Sequence, residues 1–291
     1  MNTKLDLAGV GLVLEGGGFR GMYTAAVLDT FHRHGLFFDY AIGVSAGAAY
    51  GVSYVSRQYQ RNLAVNPYVS DRRYCGLNHL IRSGNFFNWD FVYREMPTTL
   101  VPFDYDTFHK STTKMKVVLT SCTTGEAVYK LIDGSTPERF RDLLTATSSL
   151  PLLSKTVKVD DDIYLDGGIA DSIPVRKAFY DGNQRLIVVL TREKGYRKGP
   201  LKATRIFKLA YRRYPKMVEA LISRSERYNQ TLQELEALEA AGKIFVIRPA
   251  AALPISRIGN DPALLHAVYS KSLDEVEAIM PRLTSWLAAA E

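Results

Sequence analysis

The sequence predicts an α/β fold, and two observations carry that expectation. Within about the first 60 residues a strand, a loop and a helix follow one another twice. Two further apolar runs, Arg185–Thr191 (RLIVVLT) and Lys243–Arg248 (KIFVIR), have the length and β-branched content of buried strands. Strands alternating with helices favour a mainly parallel sheet.

Taken in order, Val10–Glu15 is expected to be a buried strand and Met22–His34 a helix, with Gly35 as its C-terminal stop. Asp39–Val44 predicts a second strand, and the small-residue run Ala46–Tyr59 a second helix. The aromatic stretch 61–108 contains Pro67, Pro97 and Pro102, and is expected to be a helical or irregular insertion. Lys116–Cys122 and Ala127–Ile132 read as a hairpin through Thr123-Thr124-Gly125-Glu126. Ser135–Thr147 reads as a helix with Pro137 near its start, ended by Pro151. Asp160-Asp161-Asp162 suit a solvated hairpin tip before the short strand Ile163–Leu165. The helical run Tyr228–Ala241 precedes the last strand. Asp261-Pro262 then caps a C-terminal helix that Pro281 should break or kink. With no repeat and no clear linker, a single domain, 1–291, is expected. Its core covers about 8–192, its insertion 61–108, and a basic helical part 193–291.

The 291 residues carry a net charge of +7, unevenly spread. Arg192 to Arg227 holds twelve basic and three acidic residues, leaving the rest slightly acidic. Such a patch faces acidic partners. Tyrosine and basic residues alternate from Arg205 to Lys216, which suits peripheral contact with an anionic membrane surface. A solvated, salt-bridged helix is the plainer alternative, and no nucleic-acid motif supports nucleic-acid binding. Two cysteines without a CxxC suit a reducing compartment. The N-terminus lacks the marks of a signal peptide, and no run is long enough to span a membrane. A cytoplasmic protein is expected, with no metal and no cofactor.

Glu15-Gly16-Gly17-Gly18-Phe19-Arg20-Gly21 formally matches GxGxxG after a strand. As a dinucleotide loop it lacks a well-placed acid, since Asp39 precedes its strand instead of following it. As a phosphate loop it lacks the following Lys-Ser/Thr pair. Gly43-Val44-Ser45-Ala46-Gly47 is GxSxG at a second strand-to-helix junction. There a serine is exposed at a helix start that favours negative charge. Both loops follow strand ends and should share one sheet edge. A nucleophilic serine needs a base. Of the five histidines only His266 comes late enough for a Ser…Asp…His order, and it sits inside an amphipathic helical segment. The carboxylate of Asp166-Gly167-Gly168, after a short strand, is the other candidate. A histidine-based carboxylesterase and a dinucleotide-binding protein stay open as alternatives.

Together the three motifs resemble the patatin-like phospholipases: a glycine-rich loop (Gly16–Gly21), a GxSxG elbow (Gly43–Gly47) and an Asp-Gly-Gly turn (Asp166–Gly168). Thr147–Pro151 and Gly168–Val175 look like the family's usual context, and about residues 8–192 are covered. The resemblance, nearest to a bacterial cytoplasmic branch, implies a three-layer α/β/α fold and hydrolysis of fatty acyl esters of lipids or phospholipids. It implies Ser45 as nucleophile and Asp166 as base, without histidine. Backbone N–H groups of the glycine loop, above all Gly17 and Gly18, form the oxyanion hole, which Arg20 supports. Two positions depart from the pattern: Glu15 where aspartate is frequent, and Ser172 where asparagine is.

Overall fold

A computed structural model describes residues 6–132 and 136–289 of the chain. The first strand–helix units run β1 (Val10–Leu14), α1 (Gly21–Arg33), β2 (Tyr40–Val44) and α2 (Ala46–Val55). β1 hydrogen-bonds in parallel to β2 on one side and to β7 (Arg185–Val189) on the other. β2 pairs in parallel with β3 (Lys114–Ser121), and β7 with β8 (Ile244–Ile247). The hairpin partner β4 (Ala127–Leu131) and the strand β6 (Asp162–Asp166) pair antiparallel with β3. β5 (Val157–Val159), a strand the sequence did not signal, pairs antiparallel with β6. The sheet order is therefore β5-β6-β3-β2-β1-β7-β8, with β4 on β3. The expected mainly parallel sheet is present, with an antiparallel flank.

Strand residues alternate between two apolar faces because successive side chains point to opposite sides. Leu12 and Leu14 of β1 pack with Tyr23, Val27 and Phe31 of α1 and with Val276, Met280 and Leu283 of α11 (Pro262–Ala288). Val13, between them, joins the opposite face with Val175 of α7 (Val175–Tyr180) and Tyr228 and Leu232 of α10 (Arg224–Ala240). Helices thus cover both faces, in an α/β/α arrangement.

The insertion is largely helical: α3 (Arg61–Val65), α4 (Leu77–Ser83), a π-helical stretch Phe91–Leu100 and α5 (Tyr105–Lys110). α6 (Pro137–Ser148) is capped by the Thr136 hydroxyl, which accepts from Arg139 N–H. Its expected start, Ser135, lies outside the described residues. Asp160 and Asp161 form the β5–β6 tip, whereas Asp162 begins β6 and accepts from Ser121 and Thr123.

Three expectations need correction. α2 ends at Val55, not Tyr59, where Arg57 and Gln60 take positive φ. The helix expected from Tyr228 begins at Arg224, directly after α9 (Pro215–Ile222); α8 (Thr204–Ala210) lies before them. The expected helical character of this basic stretch is present, divided among three helices. α11 runs unbroken through Pro281, which lies on the exposed face, so its ring meets no packed neighbour element there.

Candidate active site

At the carboxyl end of β2 the chain turns through Ser45, whose φ of 52° is rare for a residue with a side chain. Such strain concentrates at functional sites. The turn places Ser45 at the N-terminus of α2, where the helix dipole favours negative charge. Gly47 permits the close packing behind it, since a Cβ there would lie 2.4 Å from the Leu14 carbonyl. The Ser45 N–H donates to Thr147 Oγ1 at 2.9 Å, and Thr147 donates onward to the Val118 carbonyl at 2.6 Å. Thr147 therefore ties the turn to β3.

The glycine loop lies against this turn. A Cβ on Gly16 would sit 3.0 Å from Ser45 Cβ. Gly18 takes φ +57°, and a Cβ there would strike the Arg257 carbonyl at 2.1 Å. That carbonyl accepts from Phe19 N–H, while Arg20 N–H goes to Gly17 O and Gly21 N–H to Gly18 O and Phe19 O. Among the described residues, the N–H groups of Gly16, Gly17 and Gly18 have no hydrogen-bond partner. The free donors thus lie in the three glycines, not at Arg20 or Gly21. Glu15 supports the loop: it accepts from Tyr228 Oη at 2.6 Å and from Thr191 N–H at 2.6 Å.

Asp166 ends β6 and is 3% exposed. Its Oδ1 accepts from Gly168 N–H at 2.8 Å, and its own N–H donates to the Ser149 carbonyl. Its Oδ2 is buried without a partner among the described residues. Ser45, Asp166, Gly16, Gly17, Gly18, Arg20 and Gly168 line one cleft, although Ser45 and Asp166 form no hydrogen bond. Gly43 and Gly167 sit beneath it, Gly43 against α2 and Gly167 against the Val118 carbonyl. Ser172 donates to Gly168 O at 2.7 Å.

Ser45 also opens onto a second, apolar cavity of about 140 Å³, walled by Phe19, Met22 and Tyr50 and by Trp89, Tyr93 and Met96 of the insertion. No histidine lines either space. His266 is exposed on α11, its ring meeting Ser270.

Sequence reasoning missed the cations here. Arg192, Lys198, Arg224 and Arg257 line the polar cleft with Arg20. The charge of Arg192, Lys198 and Arg224 was visible in the basic stretch, but its direction was not, and Arg257 lies outside that stretch. Asn229 on α10 clamps the Lys198 backbone at both N–H and carbonyl, turning the side chain over the Tyr228 ring at 4.2 Å. Burial first, then nearby Arg224, pulls the Lys198 ammonium down to about 7. Burial, then Arg192 and Arg257, takes Arg20 down to about 10.

The family model for patatin-like phospholipases matches residues 12–179. The chain belongs to the patatin-like phospholipase family. A second model, for a domain of unknown function (DUF6363), matches residues 214–288. A curated relative, the uncharacterized protein YjjU of Escherichia coli (strain K12), is 32% identical over 189 residues. The match covers 62% of this chain and 52% of that protein, so the chain spans about half its relative's length. The crystal structure of VipD from Legionella pneumophila is similar at a TM-score of 0.40 and 13% identity, over 91% of this chain and 66% of that one. Among the described residues, no helix of this family member is long and apolar enough to cross a membrane.

Proposed function

We propose that the chain hydrolyses fatty acyl esters of lipids through a Ser45–Asp166 dyad. The observation that carries this reading is the buried, unpartnered Oδ2 of Asp166 in the same cleft as Ser45. An acceptor with no other donor on it is available to the hydroxyl proton of Ser45.

Ser45 Oγ attacks the ester carbonyl as its proton passes to Asp166. The carbonyl oxygen becomes an oxyanion, held by the free N–H groups of Gly16, Gly17 and Gly18. Removing one such donor typically costs about 3–4 kcal/mol of transition-state stabilisation. The tetrahedral intermediate collapses, the C–O bond to the alcohol breaks, and Asp166 returns the proton to that oxygen. Water then attacks the acyl-serine, giving a proton to Asp166; the bond from the acyl carbon to Ser45 Oγ breaks, Asp166 returns that proton to Oγ, and the fatty acid leaves.

The apolar cavity supports a long acyl chain as the bound part. Absence of a lining histidine disfavours a His266-based carboxylesterase. Dinucleotide binding lacks its acid, since Asp39 lies at the opposite end of β2 from the glycine loop. The chain acts as one functional unit in this reading, because Arg224 and Arg257 from its C-terminal part line the cleft of Ser45. The remaining exposed cations, around α8, support peripheral contact with an anionic lipid surface, beside Ile206 (57% exposed) and Leu209 (73%).

A fluorophosphonate probe should label wild type at Ser45, and Ser45→Ala should lose both labelling and turnover of a p-nitrophenyl ester. Full turnover by the folded Ser45→Ala protein refutes the dyad.

A further inference from the structure

The polar cleft holds more positive charge than the dyad chemistry uses. Five cations, Arg20, Arg192, Lys198, Arg224 and Arg257, line it against two carboxylates, Glu15 and Asp166. Both Glu15 oxygens are already occupied, by Tyr228 and Thr191. Among the described residues none of the five cations forms an ion pair within 4.0 Å. Arg20 is 6% exposed, and its buried Nε has no hydrogen-bond partner among the described residues. Buried charge without a partner is costly and calls for compensation. The cations come from four separate segments: the glycine loop, the stretch after β7, the start of α10 and the turn before α11. Their convergence is therefore a product of tertiary packing, not of a local charge run.

Ser45 stands between this cleft and the apolar cavity, and lines both. A substrate spanning the two carries an apolar tail on one side of its ester and a compact anion on the other. We infer that the cleft is a binding site for a terminal phosphate close to the scissile ester, so that the substrate class is acylglycerol phosphomonoesters. The inference rests on the dyad reading. A phosphomonoester brings two negative charges and acceptor oxygens suited to guanidinium forks. A choline or ethanolamine head group would bring an extra cation among five. The depressed proton affinities of Lys198 and Arg20 accord with a site that awaits an anion.

The test compares fatty acid release from 1-oleoyl-glycerol-3-phosphate, 1-oleoyl-glycerol-3-phosphocholine and 1-oleoylglycerol in one mixed-micelle system. The phosphomonoester should lead by about tenfold or more in kcat/KM, the scale of a charge-assisted contact. Lys198→Gln and, separately, Arg257→Gln should shrink that lead about tenfold, mainly through KM. Equal rates on the three lipids, with Ser45 labelled by the fluorophosphonate, overturn the subsite and leave the hydrolase reading standing. A calorimetric titration of Ser45→Ala with the same three lipids reads the subsite without catalysis. Tighter binding of the phosphomonoester supports the phosphate site even if wild type releases no fatty acid, in which case the hydrolase reading falls and takes the substrate assignment with it. Inorganic phosphate binding more tightly than the lysolipid would assign the cleft to free phosphate and overturn the substrate claim.

Discussion

Thr147 shows how much a single hydroxyl can hold. It accepts from the strained Ser45 N–H and donates to the Val118 carbonyl, so it joins the Ser45 turn to β3. Thr147→Val keeps the shape and loses both bonds. The expected result is a stability loss of about 1–3 kcal/mol in chemical denaturation, together with a lower kcat on a p-nitrophenyl ester. An unaltered kcat would show that the turn holds without it. Lys198 sets a second expectation at this scale. It faces Glu15 and Arg20 from the glycine loop, Arg224 and Tyr228 from α10, Arg257 before α11, and Tyr196 on its own segment. With its ammonium lowered to about 7, it is charged below that pH and neutral above. The share of 1-oleoyl-glycerol-3-phosphate binding to Ser45→Ala that Lys198→Gln removes should therefore shrink as pH rises from about 6 to about 8. The shift also links to stability. The unfolded chain keeps this proton up to its ordinary value of 10.5 while the folded chain sheds it near 7, so this group makes stability rise with pH across that window.

Among the elements, α8, like α4, leaves none of its residues buried, and it exposes Ile206 and Leu209 beside Arg205 and Lys208. Its apolar pair has the surface and its cations the charge for an anionic bilayer. Vesicles containing phosphatidylglycerol should carry the protein in a flotation assay, and phosphatidylcholine vesicles should not. Ile206→Glu with Leu209→Glu should abolish flotation. Persistent flotation of that double variant would move the contact elsewhere. The insertion is the other element whose meaning changed. In sequence it was an aromatic, proline-broken stretch; in the folded chain its Trp89, Tyr93 and Met96 wall the cavity beside Ser45. Sequence periodicity could not find this, because the stretch packs as short helices and a π-helical turn rather than one amphipathic face.

At the scale of the whole molecule, α11 closes the face that α1 begins. Tyr269 Oη donates to the buried Asp29 carboxylate at 2.7 Å, and Gln60 N–H meets the other oxygen at 2.9 Å. This contact joins α1, the start of the insertion and α11. Tyr269→Phe should cost about 1–3 kcal/mol in denaturant midpoint measurements, the price of a buried acceptor left short of a donor. No change would mean that water replaces the phenol.

The motif residues were legible because their chemistry is local. A glycine loop and a strained serine at consecutive strand ends, and an aspartate before two glycines, are set by backbone geometry over a few residues. Parallel pairing of β1 and β2 then brings the first two to one edge. The strand pattern likewise announced the central sheet, since burial on both faces leaves continuous apolar runs such as Leu186–Leu190. The direction of the charges was not legible. Arg192, Lys198 and Arg224 share one basic stretch with the exposed residues of α8, and composition treats them alike. Only the packing of α10 against the sheet, with Asn229 clamping Lys198 and Tyr228 reaching Glu15, turns three of them inward to meet Arg20 and Arg257. By itself the sequence determined the fold class and the three motifs. The tertiary structure decided what surrounds Ser45, because charges far apart along the chain act together only when folding brings them within reach of one another.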